Sequence, residues 1–455
     1  MIFCSPEEWQ AHEGKFVALW TDAHHAYALY QPGTLLAVPL AEGAYPALKH
    51  PGAAWFQRLA RDMTGAIATG AADTRPAIEQ FRAPDGTAAW PDFPAPEGEG
   101  AHVVAVGPVH AAIIEPGHFR FTLRGEQVLQ LQTRFGYAHK GTLALMRGKS
   151  PRLAARFAAR ISGDATVAYS LAYARAVEAA LALTPPRRAV HLRAVMAEIE
   201  RLANHTSDIG AIAGDAGFAF LDARFAWHRE SFCAAAYVAF GHRLMMDAVV
   251  PGGVASDLRS KGEAAILSSL DALETELPSL TRVFEDYASL QDRLIGTGII
   301  PVELAAAYAA GGYVGRASGQ DYDARLTPGY APYEQFSLAV PVETDGDVAA
   351  RIRIRLAEIN GSIRITRALL AGLPDDGLVV APNTGSGTGV GVAESFRGAV
   401  WTWLRLDNGT IADLFIADPR TLHWPLLEHA VTTGIFADFP VINKSINGSY
   451  SGVDL

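Results

Sequence analysis

The spacing of apolar and polar residues changes along this chain and predicts a different kind of element in each stretch. Short apolar runs at 15–20 and 33–39 predict strands, and a helix is expected at 54–63 after the turn Pro51-Gly52. Apolar and polar side chains alternate from His102 to Thr133, which predicts a sheet of two or three strands. The period then becomes helical in long runs rich in Ala and Leu, at 151–184, 187–211, 219–249, 256–289 and 346–373.

The last stretch, 390–455, is predicted to form a hairpin around Asn408-Gly409, a helix near 422–433 and an irregular tail. These elements together predict an α+β fold. Its parts are a small N-terminal α/β module at 1–82, a linker rich in Pro and Gly at 83–100, and a domain at 101–455. In that domain a central bundle of long helices is flanked by small β-sheets.

Composition limits the classes of protein to which this chain can belong. Of its 455 residues, 49% are hydrophobic and 19% are charged, which is enough apolar material for a large core. The formal net charge is −10 and no basic run offsets it, so no nucleic-acid partner is expected. The glycine-rich run 383–391 lacks the lysine of a phosphate-binding loop, which favours a flexible surface loop over a nucleotide site.

The two cysteines, Cys4 and Cys233, are too few for a zinc or iron–sulfur site, which needs about four ligands. Scarce cysteine without a signal-peptide pattern favours a reducing cytoplasm. No apolar stretch reaches the roughly 18 residues of a membrane span, so we expect any link to a membrane to run through partner subunits.

Two segments resemble metal-binding motifs whose ligands are missing. Arg160-Ile-Ser-Gly-Asp-Ala165 is similar to the Arg-Ile-Cys-Gly-x-Cys motif of nickel–iron hydrogenase large subunits, and 444–452 is similar to their closing Arg-Ser-Phe-Asp-Pro-Cys-x-x-Cys. Ser162, Ala165, Ser449 and Gly452 stand at the four cysteine positions. Neither a hydroxyl nor a methyl group replaces the thiolates that nickel and iron need, so we expect no bound metal.

The resemblance extends over most of the chain. Further motifs occur in the family's order, among them Gly107-Pro-Val-His110, Glu115-Pro-Gly-His118, Gly136-Tyr-Ala-His-Lys-Gly141, Ala197-Glu-Ile-Glu-Arg-Leu-Ala-Asn-His205, Pro251-Gly-Gly-Val254, Glu394-Ser-Phe-Arg-Gly398 and Asp438-Phe-Pro440. The chain resembles the superfamily of hydrogenase large subunits and the quinone-site (49 kDa-type) subunit of respiratory complex I. Residues 54–65 are similar to a signature of complex I's 30 kDa-type subunit, which implies that 1–82 is a degenerate module of that type.

The resemblance implies a metal-free subunit of an oxidoreductase complex of the NADH:quinone oxidoreductase or hydrogenase-related type. The implied partners are an iron–sulfur small subunit of the complex I 20 kDa type, which carries a 4Fe-4S cluster, and ion-translocating membrane-arm subunits. The implied location is peripheral, on the cytoplasmic side of the inner membrane. A quinone at the interface is the implied acceptor, and the chain itself is expected to hold no cofactor.

Two histidines on the predicted hairpin, His110 and His118, are the candidate catalytic residues. In complex I this hairpin reaches toward the quinone, and an imidazole can donate a hydrogen bond to a quinone carbonyl and deliver a proton. The alternative is that each histidine satisfies backbone groups. Complex I pairs the second histidine with a tyrosine that follows the His-Arg-Gly turn, whereas here no Tyr occurs between His139 and Tyr169.

Ser162, Ser449 and Arg397 are implied to line the former metal cavity, and Arg134 and Arg160 are expected to flank it. In hydrogenases the arginine matching Arg397 lies over the metal's diatomic ligands. Without a metal, we expect its guanidinium to pair with a carboxylate such as Glu394 or Asp438.

Glu198, Arg201, His205 and Asp208 recur on one face of the helix at 187–211. Such a stripe is either a solvated face or a buried charge network. A buried network would require Glu198 to pair with Arg201 and Asp208 to find a partner outside the helix. The resemblance places this helix near the path from the redox site to the membrane arm, so a coupling role is a hypothesis and structural pairing is the favoured alternative.

Two functions therefore compete. In the first, the chain walls a cavity in which a quinone or another acceptor is reduced. In the second, it is a catalytically dead scaffold whose cavity is filled by side chains. The space among Ser162, Ala165, Ser449 and His118 should be open and polar in the first case. In the second case Ser162 and Ser449 should hydrogen-bond across a closed gap.

Overall fold

The computed structural model describes residues 1–78, 96–111 and 114–455. The predicted linker at 83–100 lies mostly outside the described residues. The N-terminal elements are β1 Ile2–Phe3, α1 Pro6–Ala11, β2 Phe16–Thr21, β3 His25–Tyr30, β4 Thr34–Pro39, β5 Ala44–Pro46, α2 Ala53–Thr64 and β6 Ile67–Thr69. Strands β1 to β4 form a sheet in the order β1-β4-β3-β2, in which only β1 and β4 run parallel. The two predicted strands and the predicted helix are present, and β3 was not anticipated.

The predicted sheet at 102–133 has three strands. These are β7 Ala101–Val106, β8 His118–Arg124 and β9 Gln127–Arg134. They pair antiparallel in chain order. The segment between β7 and β8 carries His110, and His118 begins β8, so both candidate histidines lie at one end of this sheet.

The middle of the chain is helical, as predicted. Its elements are α3 Thr142–Met146, α4 Pro151–Ala158, α5 Thr166–Leu181, α6 Arg187–Asp215, α7 Ala219–Phe240, β10 Val249–Val250, β11 Gly253–Val254, α8 Gly262–Asp286, α9 Ala288–Leu294, α10 Val302–Ala307, α11 Gly312–Arg316 and α12 Val348–Ala371. Helix α6 lies at the centre and packs against α7, α12 and the C-terminal segment, so its polar residues are enclosed on several sides.

Two of the predicted helical runs were too long. The run 151–184 is broken at 159–165, where a loop and a short 3-10 turn place Ser162 between α4 and α5. The run 219–249 ends at Phe240, because Gly241 adopts a φ of 84° that closes the helix. Both breaks carry polar residues and glycine, at 160–164 and 241–243, but the prediction followed the apolar runs that flank them.

The C-terminal elements are β12 Gly387–Ser395, β13 Gly398–Asp407, β14 Thr410–Ala417, α13 Arg420–Val431, α14 Phe439–Ile446 and α15 Ser451–Asp454. The three strands pair antiparallel, and Asn408 and Gly409 turn between the last two with φ of 46° and 77°, as expected for a type I′ hairpin.

The glycine-rich run is not the surface loop that the sequence predicted, because from Gly387 onward it forms β12. A Cβ on Gly387 or Gly389 would lie 2.1 or 2.0 Å from a backbone carbonyl oxygen of α5, and one on Gly391 would lie 2.3 Å from another. The alternating glycines therefore let the strand lie directly against the backbone of α5.

The N-terminal sheet packs on the C-terminal sheet through aromatic side chains. The ring of Trp20 stacks on Phe415 at 5.2 Å, and Tyr27 contacts Trp403 at 4.9 Å. One hydrophobic core runs through both regions. Within the three described ranges, no helix has the length and apolarity needed to span a bilayer.

Candidate functional site

The two motif segments that lack cysteines meet in the fold. Ser162 Oγ lies 3.4 Å from Ser449 Oγ and 2.7 Å from Asp164 Oδ1. Ser162 is 3% exposed, and Ala165 and Ser449 are also buried. The gap between the loop before α5 and the C-terminal tail is thus bridged by side-chain hydrogen bonds.

Glu115, which the sequence analysis did not single out as a site residue, holds the tail in place. Its Oε2 accepts hydrogen bonds from the Ser449 hydroxyl at 3.1 Å and from the backbone N–H groups of Tyr450 and Ser451 at 2.9 and 3.1 Å. A carboxylate that accepts several hydrogen bonds is a strong anchor. The only sequence signal was its place in the 115–120 motif.

Gly452 leaves no room for a metal ligand. A Cβ at this position would lie 1.9 Å from Asp418 Oδ2 and 2.7 Å from the Tyr169 hydroxyl. Asp418 forms a buried ion pair with Arg420 and accepts a hydrogen bond from Tyr169. The second cysteine position of the tail is therefore packed against an ion pair, and the residues present do not fit a nickel–iron centre. Across the described part of the chain, no group of His, Cys, Asp and Glu is placed to bind a metal ion.

Arg397 does pair with a carboxylate, but the sequence predicted the wrong partners. Its Nη2 lies 2.7 Å from Asp164 Oδ2, and its Nε donates to the Asn447 carbonyl at 2.6 Å. Glu394 instead pairs with Arg316, and Asp438 approaches Arg293. Although its side chain is 39% exposed, partial desolvation would raise the pKa of Asp164, but the charge of Arg397 and the hydrogen bond from it hold that pKa well below its usual range.

Arg160 does not flank this gap with its guanidinium. It forms two hydrogen bonds with Asp247 at 2.6 and 2.8 Å, and both side chains are more than one third exposed. Arg134 is buried at the end of β9. The resemblance implied that the segment carrying Arg160 approaches the gap, but it does not fix where a long side chain points.

Both candidate histidines contact backbone carbonyl groups. His110 Nε2 lies 2.8 Å from the Gly117 oxygen, and His118 Nδ1 lies 3.2 Å from the Gly107 oxygen. Because a carbonyl only accepts, each of these nitrogens carries the proton, and in a neutral ring the other nitrogen is an acceptor. Burial lowers the pKa of His118, which favours the neutral ring. This geometry supports the backbone-satisfying role for both.

A cleft of about 530 Å³ opens beside the closed gap, between the β7–β8 hairpin and the segment from 436 to 450. His110 lines it, whereas His118, Ser162 and Ser449 are not among its lining residues. Phe119, Phe439 and Tyr450 are among its apolar walls.

The cleft also presents polar groups that the sequence analysis did not single out, namely Asp215, Asn443, Lys444 and Asn447. Burial raises the pKa of the Asp215 carboxyl, against the opposing charge of Lys444. Lys444 and Asn447 lie inside the closing motif. Asp215, in contrast, is the last residue of α6, in a stretch that looked like a turn.

The charged stripe of α6 is buried, which decides between its two interpretations. Glu198, Arg201, His205 and Asp208 are all at most 4% exposed. Glu198 lies 3.5 Å from Arg201, as the sequence predicted. Asp208 finds the required outside partner in Arg355, at 3.3 Å.

Most partners of the stripe come from distant elements. Glu198 accepts hydrogen bonds from Tyr333 at 2.7 Å and Ser362 at 2.6 Å, and lies 3.1 Å from Arg325. His205 Nε2 lies 2.8 Å from Glu358 Oε2. Burial lowers the pKa of His205 despite this carboxylate.

Arg316 links this network. It pairs with Asp323 at 2.9 Å, with Glu394 at 2.6 Å, and with Glu358. The connected ion pairs join four carboxylates, Glu198, Asp323, Glu358 and Glu394, to three guanidinium groups, Arg201, Arg316 and Arg325. Burial and the nearby charge of Asp323 raise the pKa of Glu394 to about 7. A proton on Glu394 would neutralise the excess negative charge.

Comparison with known proteins assigns this chain to a family. Residues 223–386 match the model of the respiratory-chain NADH dehydrogenase 49 kDa subunit. The chain is 32% identical to an NADH-quinone oxidoreductase chain of Herpetosiphon aurantiacus over 279 residues, which are 60% of this chain and 74% of that one. It is 27% identical to formate hydrogenlyase subunit 5 of Escherichia coli over 443 residues, which are 90% and 77% of the two chains.

A solved structure of the membrane-bound sulfane sulfur reductase, an archaeal respiratory membrane complex, contains a chain of the same fold. The two chains superpose with a TM-score of 0.74 and 23% identity, over 79% of this chain and 100% of that chain. This likeness confirms the predicted α+β fold with its central long helices. On the identity and coverage of its NADH-quinone oxidoreductase relative, the chain belongs to the family of the 49 kDa subunit of the respiratory-chain NADH dehydrogenase.

Proposed function

We propose that this chain is the metal-free large subunit of a membrane-associated oxidoreductase complex, and that an electron acceptor is reduced in the cleft at His110 rather than in the former metal cavity. The observation that carries this proposal is the contrast between the two spaces. The gap at Ser162 and Ser449 is closed by hydrogen bonds, whereas a cleft of about 530 Å³ lies next to it.

The chemistry of the cleft suits a quinone. Aromatic walls complement a flat apolar ring, and a few polar groups fix its orientation. Lys444 and Asn443 carry N–H donors for carbonyl oxygens, whereas His110 already donates its Nε2 proton to Gly117. Reduction of a quinone to a quinol takes up two electrons, which the proposed iron–sulfur partner would supply, and two protons, of which one would come from a side chain and one from water in the open cleft. Asp215, whose pKa is raised, is a group at this cleft that can hold a proton.

The subunit role draws support from the relatives and from the surface. Formate hydrogenlyase subunit 5 and hydrogenase-4 component G of Escherichia coli are named as parts of larger enzymes. Exposed aromatic side chains lie along one face of α7, namely Phe220, Trp227 and Tyr237. We propose that partner subunits cover such surfaces: an iron–sulfur small subunit with a 4Fe-4S cluster, and membrane-arm subunits on the cytoplasmic side of the membrane.

The buried network is the proposed coupling element of this assembly. Its ion pairs connect α6 to Asp323 and Arg325, to α12 and to β12. A proton gained or lost by one member therefore changes the electrostatic potential at groups in several elements. The buried network includes three residues of the α6 stripe, Glu198, Arg201 and His205, and the fourth, Asp208, lies beside it.

The second candidate function is a catalytically dead scaffold. The hydrogen bond between Ser162 and Ser449 favours it, because this bond is what the scaffold hypothesis predicted. The two candidate functions make different predictions for the cleft at His110: an acceptor binds there in the first, and nothing binds there in the scaffold.

Purification of the complex through a tag on this chain tests the subunit role. We expect an iron–sulfur subunit and membrane proteins to co-purify. Elemental analysis should show no stoichiometric nickel, because positions 162, 165, 449 and 452 carry no thiolate. A monodisperse, highly soluble monomer without partners would contradict the subunit role.

Electron-transfer assays on membranes test the cleft. Lys444→Met should lower kcat/KM for quinone reduction about tenfold, the weight of one hydrogen bond of about 1–1.5 kcal/mol. His118→Ala should reduce turnover far less than the roughly 100-fold expected of a positioned acid–base group. Lys261→Met, at an exposed position outside the cleft, is the matched control. Normal assembly with unchanged quinone reduction in Lys444→Met would favour the scaffold.

A further inference from the structure

A second cleft, of about 580 Å³, lies between the end of α5, the start of α6 and the segment around Tyr330. It shares no lining residue with the cleft at His110. Its volume is within the range of about 300–1,000 Å³ that is usual for small-molecule sites. The proposed acceptor chemistry does not use it.

The charges of the residues that line this second cleft do not cancel, although Glu334, outside the lining, also lies near Arg175. Glu178 forms an ion pair with Arg193, in which its carboxylate oxygens accept hydrogen bonds from the guanidinium at 3.2 and 2.5 Å. It also accepts a hydrogen bond from the Gly252 N–H at 2.9 Å. Arg175, one helical turn before Glu178, forms no ion pair with any carboxylate in the described ranges. The lining therefore carries one surplus positive charge.

Arg175 is held in place without a polar partner for its Nε. Its guanidinium stacks on the ring of Tyr330 at 4.4 Å from the ring centre, and its Nε is buried without a hydrogen-bond partner among the described residues. Burial lowers the pKa of Arg175, because desolvation disfavours the charged guanidinium. An anion that reached the guanidinium would offset this effect of desolvation.

The remaining walls are apolar. Leu171, Leu183, Val190 and Val390 are among them. Inorganic phosphate would leave these surfaces in contact with water, whereas a molecule with an apolar body would cover them. A guanidinium fixed by stacking on an aromatic ring is suited to a planar carboxylate or to a phosphate group.

We propose that this cleft binds an organic anion, a carboxylate or phosphate group on an apolar body, with Arg175 as the residue that recognises the anionic group. The occupant would also contact Tyr330 and Tyr333, which line the same cleft. Tyr333 donates a hydrogen bond to Glu198, and the Tyr330 hydroxyl accepts one from the Glu394 N–H. The bound anion would therefore lie against two side chains that contact the buried network.

Calorimetric titration of the full chain, purified with its accompanying subunits, tests this site with octanoate as the probe. Octanoate should bind, while octanol, which lacks the charge, and acetate, which lacks the apolar body, should each bind at least about tenfold more weakly. Arg175→Leu should weaken octanoate binding by about tenfold or more, because a hydrogen bond to a charged group is lost. The control Arg187→Leu removes an exposed arginine near the start of α6 and should leave binding unchanged.

Vesicles containing phosphatidylglycerol distinguish an acidic lipid from a soluble acid. Vesicle binding that depends on Arg175 would identify the lipid headgroup as the source of the anion, and Arg175-dependent octanoate binding alone would identify a soluble acid. Equal octanoate binding by Arg175→Leu and Arg187→Leu would overturn the proposal. So would the absence of any Arg175-dependent binding of millimolar octanoate and of vesicles, provided that the two variants melt at the temperature of the unsubstituted protein.

Discussion

Replacing Arg316 with methionine should destabilise the protein strongly, because this guanidinium pairs with three buried carboxylates. Arg316 is 1% exposed, and it pairs with Glu394 at 2.6 Å, Asp323 at 2.9 Å, and Glu358. Removing one partner from a buried charge pair costs about 3–5 kcal/mol, because the other charge is left uncompensated. Unfolding entropy is about 2.1 cal/mol/K per residue, so each kcal/mol corresponds to about 1 °C of Tm in a chain of 455 residues. We therefore expect Arg316→Met to lower Tm by about 3–5 °C.

The loss should depend on pH. The pKa of Glu394 is raised to about 7 in the native protein, and without Arg316 it should rise further. A carboxyl with a raised folded-state pKa stabilises the fold at low pH, and that stability is lost as pH rises from the unfolded pKa through the folded one. Above pH 7 the variant should therefore lose about 1.4 kcal/mol per pH unit more than the unsubstituted protein. Its deficit in Tm should be larger at pH 8 than at pH 6.

Arg353→Met is the matched control for this measurement. Arg353 lies on α12 and also pairs with two carboxylates, Glu343 and Asp345, but all three side chains are at least 27% exposed. Surface pairs of this kind contribute about 0–1 kcal/mol, so its Tm should change by about 1 °C or less. If the thermal melts of Arg316→Met and Arg353→Met coincide at both pH values, the loss of Arg316 does not leave buried carboxylates without a partner charge, and the reasoning is refuted.

Two further substitutions test local packing and protonation. Gly452→Ala should destabilise the protein by about 1–3 kcal/mol, because the added Cβ would overlap Asp418. Gly163→Ala is the control, because the space around Gly163 is open and no loss of stability is expected. Thermal melts of the two variants test this. Burial lowers the pKa of His423 to about 4, so the folded state binds this proton less tightly than the unfolded chain does. The free energy of unfolding should therefore fall by about 3 kcal/mol between pH 6.5 and pH 4. His423→Gln should flatten that part of the Tm–pH curve, and an unchanged curve would show that another group causes the acid sensitivity.

Local signals in the sequence predicted much of the fold. Asn408-Gly409 predicted its hairpin, because both residues tolerate the positive φ that the turn requires. The helical period at 346–373 closely matched α12, which runs over Val348–Ala371. The resemblance of their two segments to metal-binding motifs implied that Ser162 and Ser449 meet, although 287 residues separate them.

The features that sequence reasoning missed depend on contacts between distant segments. The alternating glycines of β12 have no local reason to be glycine, since their small size matters only against the backbone of α5. Apart from Arg201, the partners of Glu198 and His205 come from residues 325–362, and no spacing within α6 points to them. The choice of Asp164 rather than Glu394 as the partner of Arg397 likewise depends on how three separate segments pack.

Ion pairs occupy the place in the fold where the two motif segments that lack cysteines meet. Two carboxylates, Asp164 and Asp418, pair with two guanidinium groups, Arg397 and Arg420. The Asp418–Arg420 pair is buried, whereas the Asp164 side chain is 39% exposed. These pairs are neutral together, so a divalent cation placed among them would meet two positive charges whose carboxylates are already engaged. The hydroxyl groups of Ser162 and Tyr169 supply the remaining hydrogen bonds to this cluster. The residues where the two motif segments meet therefore form a stable polar core. Chemistry in this subunit would have to take place in an open space beside that core, and the cleft at His110 is such a space.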